Sequence, residues 1–129
     1  MDVVKKRIKQ AEESISEAEY IYGENVSNIA VMTKLYQAMV YIITALYKIR
    51  DIGGLTHLDL IERFEREYSR KGLIDTRLLK ALRHAYNVTP ECDCDHMKQP
   101  EDKDIEMLLP LAKEFVGKIK NESVQANDS

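Results

Sequence analysis

The residue types best suited to chemistry are concentrated in one aperiodic stretch of the 129-residue chain, NVTPECDCDHMKQP (87–100). It contains Cys92, Cys94 and His96, and thiolates and imidazole are zinc ligands. These side chains are close enough in sequence to approach one ion, but structural zinc sites usually place two or more residues between paired cysteines. The alternative interpretation is an acidic loop with two incidental thiols, and the sequence leaves both open.

The same stretch supplies the candidates for proton transfer. Asp95 and His96 are adjacent, and histidine is the side chain that changes charge near neutral pH. The other two histidines, His57 and His84, have polar neighbours and could equally be surface residues. The sequence has no glycine-rich phosphate loop, nucleophile elbow or paired-histidine metal motif. Asp95 and His96 are therefore the catalytic candidates.

Basic residues recur at helical spacing in two predicted helices, a pattern that can bind phosphate groups. They are Arg63, Arg66 and Arg70 in the third predicted helix, and Arg77, Lys80 and Arg83 in the fourth. Glutamates are interleaved with the first set, and i,i+4 pairs such as Glu62–Arg66 can neutralise it. A solvated, ion-paired face is the simpler interpretation. Arg77, Lys80 and Arg83 are the candidates for phosphate binding.

These candidates depend on one central element, residues 29–49, with the sequence IAVMTKLYQAMVYIITALYKI. Between Leu35 and Tyr47 only Gln37 and Thr44 interrupt the apolar run. A surface helix keeps a polar side, so we expect this helix to be covered by its neighbours and by a second copy of the protein. It is too short and too often polar for a membrane span, which needs roughly 20 consecutive apolar residues.

Amphipathic helices are predicted before and after this central helix. The first follows the apolar stripe from Val4 to Tyr22 and stops at Gly23, and Asn25 or Ser27 caps the central helix. The third helix starts at a capping box of Thr56 and Asp59 and stops at Gly72, and Asp75 caps the fourth. The fifth begins around Glu101, and Pro110 should kink or split it.

The predicted fold is all-α: an up-and-down bundle of about five helices around the central apolar second helix, forming a symmetric dimer. A monomeric bundle is the alternative. Residues 1–121 form one domain, and residues 122–129 have too little apolar content to fold and are expected to be a disordered tail.

Composition restricts the functional class only loosely. Apolar content of 44%, charged content of 32% and a net charge of −3 are typical of a soluble globular protein. This charge gives no overall attraction to nucleic acid or to an anionic membrane. The N-terminal residues MDVVKKRIKQ lack an apolar signal region. The two cysteines are too close in sequence to stabilise the fold by a disulfide bond between distant segments. We therefore expect a cytoplasmic protein.

Several motifs, in order, resemble the HEPN family (higher eukaryotes and prokaryotes nucleotide-binding). They are KLYQAMVYIITALY at 34–47, Thr56-His57-Leu58, Phe64 with Tyr68, Gly72-Leu73-Ile74-Asp75, and LAKEFVGKI at 111–119. The resemblance covers residues 8–120. It implies a helical dimer, often encoded beside a minimal nucleotidyltransferase as a toxin–antitoxin-like pair.

The resemblance also implies a site. Many members are metal-independent ribonucleases, whose site forms at the dimer cleft from an Arg followed four to six residues later by a His. In this branch the equivalent loop usually carries an Arg and then Asp-Tyr. Asp95-His96 stands where Asp-Tyr is expected, but no Arg precedes it. Arg50…His57 and Arg77…His84 both have the six-residue gap, outside that loop.

Taken together, the sequence predicts a HEPN-like dimer that acts with nucleotides, RNA or a nucleotidyltransferase partner. Its catalysis is expected to be degenerate, and no cofactor is expected. Two alternatives are kept: an active metal-independent ribonuclease toxin, and a metal-responsive binding protein that uses the Cys/His loop.

Overall fold

The computed structural model describes residues 3–47, 57–70, 75–87 and 101–128, and these form five helices without a strand. The helices are α1 (Val3–Gly23), α2 (Asn28–Leu46), α3 (His57–Arg70), α4 (Thr76–Asn87) and α5 (Asp102–Asp128). The all-α fold with five helices is therefore confirmed. The capping box at Thr56, the stop at Gly72, and Arg50 lie outside the described residues.

Helix α2 is the centre of the bundle, as predicted. It packs against all four other helices, most extensively against α1 and α5. Its large apolar side chains, including Leu35, Met39 and Ile42, are fully buried, and the small Ala38 is buried with them. The partly exposed residues follow one stripe, which includes Thr33 and Gln37.

This burial changes the argument for a dimer. We expected more apolar surface on the second helix than one bundle could hide, but a single chain already buries most of it. That reasoning is wrong because the other four helices of the same chain already cover most of this helix. The dimer itself stays a prediction, and α2 does not require it.

Burial, as well as composition, bears on whether α2 is a membrane span. Within the described residues, α2 is the one helix long and apolar enough to cross a membrane, so our composition argument against a span was insufficient. However, 61% of the tested window is buried inside the bundle. This is the pattern of a core helix in a soluble protein, whose apolar faces are covered by other helices.

Local capping sets where the helices begin. Ser27 caps α2, since its hydroxyl accepts a hydrogen bond from the Ala30 backbone N–H at 3.3 Å. Asp75 caps α4 in the same way, accepting from the Arg77 N–H at 2.8 Å. Both caps were predicted. The predicted alternative cap, Asn25, instead adopts a positive φ of 56° in the turn between α1 and α2.

Helix α5 differs from the prediction at Pro110. It runs unbroken through Pro110, so the expected split is wrong. Proline removes one backbone donor, but Pro110 is exposed while Leu108 and Ala112 anchor the opposite face in the core. Helix α5 extends to Asp128, and the disordered tail expected at residues 122–129 stays a prediction. That segment lacks Gly and Pro, and helical hydrogen bonds need no apolar side chains.

The last helix lies antiparallel against the first part of the chain. Four side-chain contacts of 2.9 to 3.2 Å join them: Glu12–Lys120, Glu19–Lys113, Tyr22–Glu106 and Asn28–Asp102. All four are exposed, and exposed ion pairs contribute only about 0–1 kcal/mol each. They therefore set the register of α5, while the buried residues between the helices stabilise the packing.

Candidate functional site

The loop that the sequence singled out lies outside the described residues. Cys92, Cys94, Asp95 and His96 all belong to residues 88–100, so their roles in metal binding or catalysis stay predictions. Across the described ranges, no group of three or more His, Cys, Asp or Glu residues is placed to hold a metal ion.

The three phosphate-binding candidates lie on α4, and the structure adds His84 to them. Leu78, Leu82 and Ala85 bury the inner face of this helix, which leaves its outer face to the basic residues. Arg77, Lys80 and His84 are spaced i, i+3 and i+7, so they share one face over roughly 10 Å. We call Arg77, Lys80, Arg83 and His84 the α4 basic row.

One end of the α4 basic row borders a shallow depression between α3 and α4. The depression has a volume of about 310 Å³ and is lined by Glu65, Leu79, Lys80, Arg83 and His84. The Nε2 atom of His84 is buried and has no hydrogen-bond partner among the described residues. A buried polar atom without a partner costs roughly 1–3 kcal/mol. The hydrogen-bonding capacity of this nitrogen is therefore unused by the described part of the bundle.

Arg83 is bound by a carboxylate from the neighbouring helix. Its Nε donates to Glu65 Oε2 at 2.9 Å, and its Nη2 donates to Glu65 Oε1 at 2.8 Å. The hydrogen bond to Glu65 raises the pKa of Arg83 above its ordinary value, although burial acts in the opposite direction. Paired N–H···O bonds of this kind are among the strongest and most directional that arginine makes.

Arg77 and Lys80 are more exposed than Arg83 and His84. Arg77 Nη2 lies 2.7 Å from Glu114 Oε2 on α5 and 3.4 Å from Asp75 Oδ2. Its side chain is 57% exposed, so water screens these contacts. Lys80 is exposed and has no ion pair within the described residues. The predicted ion-paired face is therefore confirmed for the two arginines but does not include Lys80.

A second polar cluster joins the end of α2 to α3, and sequence reasoning missed it. The Tyr47 hydroxyl donates to Glu67 at 2.7 Å, and the Arg63 guanidinium lies 4.0 Å above the Tyr47 ring. Burial, followed by the hydrogen bond to Glu67, raises the pKa of Tyr47 well above its ordinary value. Arg63 also pairs with Glu67 at 3.3 Å, in place of the expected Glu62–Arg66 pair.

His84 was also underrated at the sequence level. We treated it as a possible surface residue, yet its Nε2 is buried beside two basic side chains. The signal that points to it is the Arg77…His84 spacing, because seven positions along a helix return to the same face. By contrast, no spacing in the sequence links Glu65 to Arg83 or Tyr47 to Glu67.

Comparison with known proteins gives a family and one distant relative. A family model described as HEPN domain matches residues 4–122. A Methanocaldococcus jannaschii protein named "Putative toxin MJ0142" is 26% identical over 124 residues, an alignment that covers 96% of this chain and 84% of that protein. No solved structure matches the chain with significant similarity.

Proposed function

The chain belongs to the HEPN family, and from this premise we propose that it is a toxin-like protein that binds RNA or nucleotide phosphates through the α4 basic row. In this proposal it works in the cytoplasm as a homodimer, with a minimal nucleotidyltransferase as its partner. The toxin-like part is supported by the name of its M. jannaschii relative. The phosphate-binding part is supported by the described residues, as follows.

The observation that carries the proposal is the buried, unpaired Nε2 of His84 in a depression also lined by Lys80 and Arg83. Phosphate oxygens accept hydrogen bonds, and cationic donors bind them more strongly than neutral donors do. A phosphate entering the depression would meet the exposed Lys80 ammonium and lie beside Arg83 and His84, which line the same depression. The small net charge of −3 does not exclude such binding, because steering depends on the distribution of charge and not on its sum.

Lys80 provides the direct test of phosphate binding. Lys80→Ala should weaken binding of a single-stranded RNA oligonucleotide and lower the slope of log affinity against log salt concentration by about 0.7, the value for one phosphate contact on a single strand. The matched control is Lys103→Ala, because Lys103 has a 79% exposed side chain near the start of α5 and lies outside the row. Fluorescence anisotropy at several salt concentrations measures both. Equal effects of the two substitutions would contradict binding at α4.

A second candidate function, metal-independent RNA cleavage, is favoured by the pairing of His84 with Arg77 on one face. In such cleavage the ribose 2′-hydroxyl attacks the adjacent phosphate and the bond from phosphorus to the 5′-oxygen of the next nucleotide breaks. A base must take the hydroxyl proton and a cation must stabilise the developing charge, and a proton passed to the leaving 5′-oxygen completes the step. An imidazole is suited to the first role and a guanidinium to the second. Binding without cleavage is our primary proposal, because the loop lacks the Arg that the resemblance implies.

Two histidine variants separate these outcomes. We expect no cleavage by the natural protein. If RNA is cleaved, loss of activity in His84→Gln but not in His96→Ala would assign cleavage to the α4 basic row. The reverse result would assign it to the 87–100 loop.

Light scattering tests the dimer, and a mass of 14.9 kDa at micromolar concentration would contradict it.

A further inference from the structure

The carboxylate of Glu65 occupies the position on Arg83 that a phosphate would take. Carboxylate and phosphate both present two oxygens to the guanidinium fork, and arginine binds either through parallel N–H···O bonds. In the structure both bonds are filled, at 2.9 and 2.8 Å. The Nε/Nη2 fork of Arg83 is therefore unavailable to a phosphate while Glu65 stays in place.

Glu65 lies where its side chain can block the depression in one rotamer and leave it open in another. It lies on α3, whereas the other lining residues belong to α4, so it forms the opposite wall. Its side chain is 25% exposed and that of Arg83 is 37% exposed, so the pair lies at the surface of the bundle. A glutamate side chain at that depth can rotate into solvent without moving the backbone, because its outer bonds are single bonds with several rotamers.

We propose that Glu65 is an internal competitor for phosphate: its carboxylate must leave the Nε/Nη2 fork of Arg83 before a phosphate group can bind to that fork; this rests on the proposed function. In this role Glu65 determines which phosphate ligands bind as well as how tightly they bind. A singly charged phosphodiester must displace a carboxylate of equal charge, whereas a ligand with two or more adjacent phosphate charges also engages Lys80. Glu65 thus favours multiply charged phosphate ligands over isolated phosphodiesters.

The test uses inorganic pyrophosphate as the probe and ¹⁵N-labelled arginine, with the Nε–H signal of Arg83 as the readout. Glu65→Gln removes the charge and keeps the shape of the side chain, so it should bind pyrophosphate about three- to tenfold more tightly than the natural protein does. Glu65→Asp, with a shorter reach, should give an intermediate gain. It also provides a folded variant if the glutamine substitution perturbs α3.

Glu62→Gln is the matched control. Glu62 is exposed, lies one turn away on α3, and acts on Arg83 only through long-range charge. It should change the pyrophosphate affinity less than twofold. Equal gains from Glu62→Gln and Glu65→Gln would overturn the competitor role, since only net charge would then matter. Unchanged or weaker binding by Glu65→Gln would overturn it as well.

RNA binding, measured in parallel, separates this inference from the proposed function. If the natural protein binds RNA with the Lys80 dependence given above, but the Arg83 signal does not move in any variant, the competitor role is wrong and the phosphate-binding function stands. If neither RNA nor pyrophosphate binds to any variant, both fail. If pyrophosphate binds as expected but RNA does not, Glu65 competes for phosphate at a site that serves free nucleotides.

Discussion

The central position of α2 gives the most quantitative prediction about stability. Leu35 is fully buried on this helix, and Leu35→Ala would remove buried carbons and leave a cavity. Such substitutions cost about 3–5 kcal/mol when the neighbours cannot collapse into the space. Because α2 contacts every other helix, relaxation is restricted, and we expect about 3–4 kcal/mol.

The same change can be expressed as a melting temperature. Unfolding entropy is about 2.1 cal/mol/K per residue, which gives roughly 0.27 kcal/mol/K for this chain. A loss of 3–4 kcal/mol therefore lowers Tm by about 11–15 °C. Circular dichroism at 222 nm measures the shift, at one fixed protein concentration because self-association makes Tm concentration-dependent.

Val26→Ala is the matched control, since Val26 is 74% exposed in the turn that precedes α2. It should change stability by less than about 0.5 kcal/mol, or roughly 2 °C. A stronger variant, Ala38→Glu, places an unpaired charge in the core and should cost several kcal/mol. If Leu35→Ala lowered Tm by no more than Val26→Ala does, α2 would not be the centre of the fold.

Two further predictions concern single residues outside the α4 basic row. Pro110→Ala should raise the free energy of unfolding by about 1–3 kcal/mol, because it restores a backbone donor inside an unbroken helix. Urea unfolding measures this change. A lower stability of the variant would show that the proline fits a bend. Tyr47 has a pKa raised above its ordinary value of 10.0, so its contribution to stability is present below pH 10 and is lost as the pH rises further. Tyr47→Phe should therefore lower the free energy of unfolding by about 1 kcal/mol at pH 8. It should also reduce the decrease in that free energy between pH 9 and pH 11. An identical decrease in both proteins over this pH range would contradict the prediction.

The sequence predicted those features that depend on neighbouring residues. The caps at Ser27 and Asp75, the inner face of α4 and the apolar α2 all follow from spacings of up to one or two helical turns. Of the two outcomes expected at Pro110, a kink or a split, the split was wrong because a propensity for breaking helices does not take into account the buried residues on both sides of the proline.

The site was less predictable than the fold. The sequence identified Arg77, Lys80 and Arg83 as a group, since their spacing is local. It did not identify their partners, because Glu65–Arg83 and Arg77–Glu114 are separated by 18 and 37 residues. Such pairs depend on which helices become neighbours and on how each is rotated. The buried Nε2 of His84 is likewise a result of packing that no periodicity reveals.

The contacts between α5 and the start of the chain determine when the protein can finish folding during synthesis. Helices α1 and α2 can form a hairpin early, but the face of α2 that packs against α5 stays uncovered until residues 102–128 have been made. About 82 residues separate the end of α2 from the end of α5. At roughly 5–20 residues per second, their synthesis takes about 4–16 s. During that interval the most apolar helix of the chain remains a target for chaperones and for aggregation.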